Sequence, residues 1–329
     1  TKSIRSFRFP DKAREAKTVA LEDRRRGKVD EDVELLDPEK REKVKAGLVD
    51  DWRFIGNVLW RQNWQSFDAA TVESKFGLDD MKFLYGYLWE IHRIFGDEGA
   101  PGAGTRNFNS NSHLLNANYK FADAFNLTAF TYLLDFDRTA AARVNSTATY
   151  GFRATGAVPI AEDWVFKYAG SYAWQNDAYD NPNDYQASYY NVEGLIGYKP
   201  LVALKVGYEV LGSDEGRAQF RTPLATAHKF NGWADVFLDN GGAVGLEDIY
   251  VGLIPTLPKG FKGALIFHKF DSNTSGTDAV DYGWEIDGEI IKTIWKFTNR
   301  LKWAYYDGGN DPGSRPDTYR VWLETTFKF

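Results

Sequence analysis

The sequence predicts an all-β fold, a transmembrane antiparallel β-barrel of at least 14 strands (14–18) with short periplasmic turns and long extracellular loops. Three observations predict it. Segments of about ten residues with period-two alternation recur from Trp52 onward, separated by Gly, Asp, Asn and Pro clusters. Aromatic residues recur ten positions apart on one strand face. Short and long connections alternate along the chain.

Composition sets the outer bounds. The chain has 329 residues, a formal charge of −6, 16% aromatic residues and no cysteine. The negative charge argues against a nucleic-acid partner, which needs a basic footprint. Without cysteine there is no disulfide scaffold, no thiolate metal site and no Cys nucleophile. No run of 18 apolar residues exists to form a spanning helix. No signal peptide is visible, as in a processed chain. A soluble all-β protein would share this composition, so the pattern has to decide.

Residues 1–51 form the first predicted unit. Twenty-four of the 41 residues from 11 to 51 are charged, which reads as a solvated or disordered segment. Asp37-Pro38-Glu39 supplies a cap and a first-turn proline, and Gly47 a stop, for a short helix near 38–46. A plug or a periplasmic contact with a partner is the sharper alternative for this unit.

The barrel unit is 52–329. Strands are expected near 52–60, 65–76, 81–95, 112–121, 125–136, 147–157, 163–175, 187–198, 202–211, 245–255, 260–270, 281–291, 294–306 and 318–329. The clearest pair is 281–306. Tyr282, Trp284, Ile286 and Ile290 share one face, with Glu285, Asp287 and Glu289 on the other. The next strand places Trp295, Phe297, Leu301, Trp303 and Tyr305 opposite Lys296, Arg300 and Lys302. A turn at Lys292-Thr293 would set Glu289 against Lys296, Glu285 against Arg300 and Ile290 against Trp295.

Trp164 and Trp174 share a face, as do Trp295 and Tyr305. Ten tilted residues rise roughly 23 Å, close to the roughly 25 Å apolar band between two aromatic girdles. Trp284 and Trp303 join them as girdle candidates. The last strand alternates through Tyr319, Val321, Leu323, Phe327 and Phe329. A terminal aromatic there resembles the assembly signal of Gram-negative outer-membrane barrels, with Phe327 and Phe329 as its residues.

With Phe329 periplasmic, connections alternate outside and inside only if 212–244 is one long outer excursion. A segment carrying Phe230, Trp233, Asp235 and Phe237 would fold inward and narrow the lumen. The competing reading makes 226–238 a strand.

Several blocks resemble the alginate-export family of outer-membrane proteins. Arg53-Phe54-Ile55-Gly56-Asn57-Val58-Leu59-Trp60-Arg61-Gln62-Asn63-Trp64-Gln65-Ser66-Phe67-Asp68-Ala69 is similar to its opening signature. His113-Leu114-Leu115-Asn116 is a second block, and Thr222 through Gly232-Trp233-Ala234-Asp235 to Gly245-Leu246-Glu247-Asp248 a third. The resemblance covers about 52–329 and implies a monomeric, porin-like barrel with a polar conduit in the bacterial outer membrane. It implies passive passage of polar solutes, anionic ones among them, or of a polysaccharide. Implied partners are outer-membrane lipid, lipopolysaccharide, the barrel-assembly machinery and the solute itself. A structural barrel sheathing a partner protein, docked through residues 1–51, is the alternative.

Parity assigns inward side chains for pore lining or solute binding. Basic candidates are Lys82, Arg153, Lys167, Lys205, Lys262, Lys296, Arg300, Lys302, Arg320 and Lys328. Acidic candidates are Glu90, Glu193, Glu209, Glu285, Asp287, Glu289 and Glu324. His92 and His268 also face inward. The slight basic excess points to anions, against a reading in which the charges merely neutralise one another. No enzyme, metal or cofactor motif stands out. No two histidines have zinc-helix spacing, and no G-x-S-x-G occurs. Asp307-Gly308-Gly309-Asn310-Asp311 departs from calcium-loop spacing and reads as a turn.

Overall fold

The computed structural model describes residues 3–7, 49, 51–58, 65–94, 107–137 and 139–327. The helix expected near 38–46, and Lys328 and Phe329, lie outside the described residues. Fourteen strands form one antiparallel sheet in strict sequence order. They are β1 (Ser3–Phe7), β2 (Ser66–Ser74), β3 (Met81–His92), β4 (Phe108–Ala122), β5 (Phe125–Leu134), β6 (Thr147–Ala161) and β7 (Trp164–Asp177). Then follow β8 (Gln186–Tyr198), β9 (Val202–Leu211), β10 (Leu246–Leu257), β11 (Phe261–Asp271), β12 (Asp281–Ile294), β13 (Phe297–Asp307) and β14 (Thr318–Phe327).

Alternation creates the two faces, and register aligns them across strands. One row runs Val206, Val251, Phe267, Ile286, Tyr305 and Tyr319 from β9 to β14. Apolar side chains on this face are exposed, Val192 at 65% and Leu323 at 79%. A continuous apolar face of this extent matches a lipid-facing surface rather than a wet one. The adjacent row runs Lys205, Gly252, Ile266, Asp287, Ala304 and Arg320, and Ile266, Asp287 and Ala304 in it are buried. That buried face surrounds residues 51–58 and 212–245, which touch inward side chains from β5 to β14. A sheet whose one face meets the same central segments over ten successive strands has to curl around them, and the architecture is a barrel.

Connections alternate in length. Those at 123–124, 162–163, 199–201, 258–260 and 295–296 are tight, while those at 93–107, 135–146, 178–185, 212–245, 272–280 and 308–317 are long. No strand forms over 226–238, and the chain there makes turns and a short 3-10 segment, Ala227–Lys229.

Two expectations need correction. The strand expected at 52–60 is absent over the described residues 52–58. That segment is irregular, with Trp52 and Val58 at positive φ and one parallel bridge, Ile55 to Leu224. It buries Phe54 and Ile55 inside the barrel, and Ser3–Phe7 supplies the strand beside β2 instead. The β12–β13 turn also falls three residues later than expected, at Trp295-Lys296. Ile294 pairs with Phe297, Glu289 with Lys302, Glu285 with Tyr306 and Ile290 with Leu301. Trp295 adopts φ 55°, the left-handed conformation favoured in two-residue hairpin loops. The change in register is even, so neither strand changes faces.

Candidate functional site: the lumen and its inward segments

The lumen has two differently built regions. Toward the long-loop end it is occupied by 51–58 and 212–245. Arg53, 1% exposed, donates to both carboxylate oxygens of Glu209 at 2.7 and 2.9 Å and to Asn231 Oδ1 at 3.0 Å. Glu209 also accepts from Tyr189 Oη at 2.7 Å and Asn231 Nδ2 at 2.6 Å. Burial works against the Arg53 charge, but Glu209 and Tyr189 outweigh it and hold its pKa above the usual value. Phe54 packs among Phe130, Tyr132, Tyr189 and Phe220, with ring centroids 5.1–6.1 Å apart. Asp51 meets Arg153 at 2.8 Å. Burial alone would push the Asp51 carboxyl up; Arg153 and Lys229 more than offset it, and its pKa is lowered.

The second inward segment docks on β10–β14. Trp233 N donates to Asp287 at 3.0 Å and Ala234 N to Glu285 at 2.7 Å. Gly232 makes this approach possible: it has φ +85°, and a Cβ there would strike the Glu285 carboxylate. Asp235 binds His228 at 2.6 Å and Arg320 at 3.0 Å, and Lys302 lies 3.9 Å from the Trp233 ring centre. His268 holds Asp248 at 2.9 Å, and Asn231 reaches the same carboxylate at 3.2 Å. Arg300 bridges Glu289 at 3.5 Å and Glu324 at 3.2 Å. Phe237 packs in tilted contact with Phe270 at 4.5 Å and Tyr282 at 5.2 Å.

Toward the short-turn end the lumen opens into a chamber of about 1100 Å³. Lys82, Arg153, Lys167, Lys262 and Glu193 line it, with Asp79, Asp80, Lys120, Asp123 and Lys199 near the turns. Lys205 pairs with Glu193 at 2.8 Å on its wall. Lys82 and Lys262 have no ion-pair partner among the described residues.

The candidate residues thus divide into groups. Lys82, Arg153, Lys167 and Lys262 belong to the chamber, and Lys205 is held beside it by Glu193. Glu285, Glu289, Arg300, Lys302 and Arg320 belong to the packed cluster, with Trp233 and Asp235. Phe230 lies under Arg53, 4.7 Å from ring centre to guanidinium. Four placements differ from the parity reading. Lys296 is an exposed turn residue, 5.5 Å from the Trp295 ring, because the hairpin turns at that pair. Glu90 and His92 leave the luminal face because Trp89 is an extra residue at a bulge, so parity reverses and Ile91 turns into the core instead. Tyr282 turns inward at a second bulge, beside Gly283, and donates to Gly241 O at 2.6 Å.

Of the girdle candidates, Trp164 packs on Tyr198 at 5.0 Å at the short-turn edge. Trp295 and Phe297 meet Phe327 at 6.2 and 4.8 Å there too. Trp174 with Tyr150, and Trp284 with Tyr305, pair near the other edge at 6.5 and 5.5 Å. Trp303 instead lies mid-strand across Gly288, where no side chain competes for the space.

Arg53, Asp51, Tyr189 and Asn231 were missed as lumen residues. Gly56-Asn57 breaks the alternation just after Arg53, and that break was the available signal against a strand.

A barrel with an apolar outer face and a charged, partly filled lumen is the fold of outer-membrane channels. No family model matches the chain, and no curated protein matches it. Solved structures do. Pseudomonas aeruginosa OpdK with vanillate has TM-score 0.62 at 17% identity, covering 81% of this chain and 70% of that one. Pseudomonas aeruginosa OccK5 (OpdH) has TM-score 0.59 at 14% identity, covering 83% and 74%. Acinetobacter baumannii OccAB2 has TM-score 0.57 at 14% identity, covering 80% and 68%. These neighbours are outer-membrane porins, and this chain shares their fold. None of them is an alginate exporter, so the alginate-export resemblance gains no support from the comparisons.

Proposed function

We propose that this chain is a bacterial outer-membrane channel through which small polar solutes diffuse, with a preference for anions. The chamber of about 1100 Å³ lined by Lys82, Arg153, Lys167 and Lys262 carries the reading. Its volume suits a small molecule. Its basic side chains raise the local anion concentration, as charged rings do in pores. Segments 51–58 and 212–245 reduce the free cross-section above it and act as the constriction, with Phe230, Trp233 and Asp235 on the narrowing loop. A linear polysaccharide would need a bore clear along its whole length, so the inward segments favour compact solutes over a polymer. Solute entering from the long-loop side passes the cluster and then meets the lysines. The exposed rings at both edges of the apolar face anchor the barrel in lipid, and Phe327 against Phe297 closes the last hairpin.

Planar bilayers test the proposal. The purified chain should give discrete conductance steps, and reversal potentials in a KCl gradient should show anion preference. Absence of conductance, with the barrel verified by its heat-modifiable gel migration, would remove the channel reading. Clear cation preference would remove the role given to the lysines.

A further inference from the structure

One cluster takes no part in the luminal chemistry. At the long-loop end of β2 and β3, Asp68, Glu90 and His92 each offer a ligand atom, and these atoms lie within 4.8 Å of one another. The Trp89 bulge creates the grouping. By inserting one residue it turns Glu90 and His92 onto the face of Asp68, with Asp68 opposite Glu90 and Ser66 opposite His92 in register.

Asp68 is the second observation. Its side chain is only 7% exposed, yet among the described residues its Oδ1 finds no hydrogen-bond donor, and Oδ2 lies 3.5 Å from His92 Nε2. That Nε2 likewise has no hydrogen-bond partner among the described residues. A buried carboxylate lacking donors is costly, and Glu90 beside it adds a like charge. A cation among the three groups removes both penalties. One imidazole nitrogen and two carboxylate oxygens match a borderline ion such as Zn²⁺, held by three protein ligands with water in the fourth position. Calcium takes six to eight oxygens, more than this cluster supplies.

We propose that Asp68, Glu90 and His92 bind a divalent first-row transition-metal ion that ties β2 to β3 where the bulge interrupts their ladder. The site stands apart from the conduction pathway, so the inference is independent of which solute the lumen carries.

The test uses the full chain in detergent, stripped of metal and titrated with Co²⁺ and Zn²⁺. Wild type should bind one equivalent of Co²⁺ with visible d–d absorption, and Zn²⁺ should raise its unfolding temperature. Asp68→Asn and His92→Gln should each weaken Co²⁺ binding at least about tenfold, since even outer-shell changes cost 10–100-fold at metal sites. Metal-free Asp68→Asn should unfold no earlier than wild type, because it removes an unpaired buried charge, and it should lose the Zn²⁺ response. Wild-type Co²⁺ affinity in both variants would overturn the proposal by placing the ion elsewhere. So would a wild-type titration without saturable one-equivalent binding, which decides the matter even if a variant misassembles. Equal competition by Ca²⁺ would overturn the choice of metal.

Discussion

The two halves of the lumen are made by one alternation pattern and end in opposite states. Along β9–β14 the inward charges meet loop backbone, opposite charges or aromatic rings: Glu285 and Asp287 are fully buried and receive the Ala234 and Trp233 amides. Toward the short-turn ends of β3–β11 nothing comparable fills the lumen, and Lys82, Lys167 and Lys262 border open volume. Pattern puts a charge on a face, but what packs against that face decides whether it stabilises structure or acts on a solute. A net count over the whole lumen mixes the two and understates the chamber.

The largest effect should come from the packed half. Arg53→Ala leaves the Glu209 carboxylate buried without its partner, a change that costs about 3–5 kcal/mol in buried pairs. Residues 51–58 should then release, lowering the unfolding temperature and raising single-channel conductance. Arg53→Met with Glu209→Leu should recover much of the stability, since an apolar pair of similar volume often replaces a buried ion pair without loss. If the double variant is as unstable as the single one, the ion pair is not what holds the segment.

Gly232→Ala should be the next strongest. The left-handed φ alone costs an alanine roughly 1–2 kcal/mol, and its Cβ would meet Glu285. The loop should lift from β12 while the sheet stays intact. Conductance should rise with the far-ultraviolet circular dichroism unchanged. An unchanged conductance would mean that 212–245 does not limit the pathway.

Most of the barrel was legible because strand alternation is a local signal. The boundaries of β9, 202–211, follow directly from its alternation and its flanking turns. What escaped was whatever depends on distant partners or on one inserted residue. Residues 52–58 carry enough aromatic and aliphatic character to pass for a strand. Their role as filler is set by Leu224, Thr226 and Glu209, far away in sequence. Trp89 looks like one more alternating residue, yet as the bulge it reverses the parity of Glu90 and His92 and removes them from the lumen. The β12–β13 register slipped by an even step, so the inward acids and bases were identified although their partners were not. Chamber and cluster could not be told apart, because the difference is in what docks and not in the strands.

Neutralising the chamber should act on selectivity and leave stability alone. In Lys82→Gln with Lys262→Gln, two charges without ion-pair partners disappear. Each is worth about 0.4 kcal/mol to an anion roughly 10 Å away in water, about twofold in local anion concentration before screening. The reversal potential should move toward zero while the unfolding temperature holds. A stability loss like that of Arg53→Ala would show that the chamber lysines are structural after all.

Salt gives the finest separation of the halves. The Debye length falls from about 10 Å at 0.1 M to about 3 Å at 1 M, so charges facing water lose their reach while desolvated pairs lose little. Anion preference set by Lys82, Lys167 and Lys262 should therefore fade as ionic strength rises. The unfolding temperature, set in part by Arg53–Glu209 and the Asp235 contacts, should change little over the same range. If both quantities fell together, the packed cluster would be as hydrated as the chamber, and the contrast between the two halves would fail. If neither moved, selectivity would come from the narrow passage beside Trp233 rather than from the lysines below it.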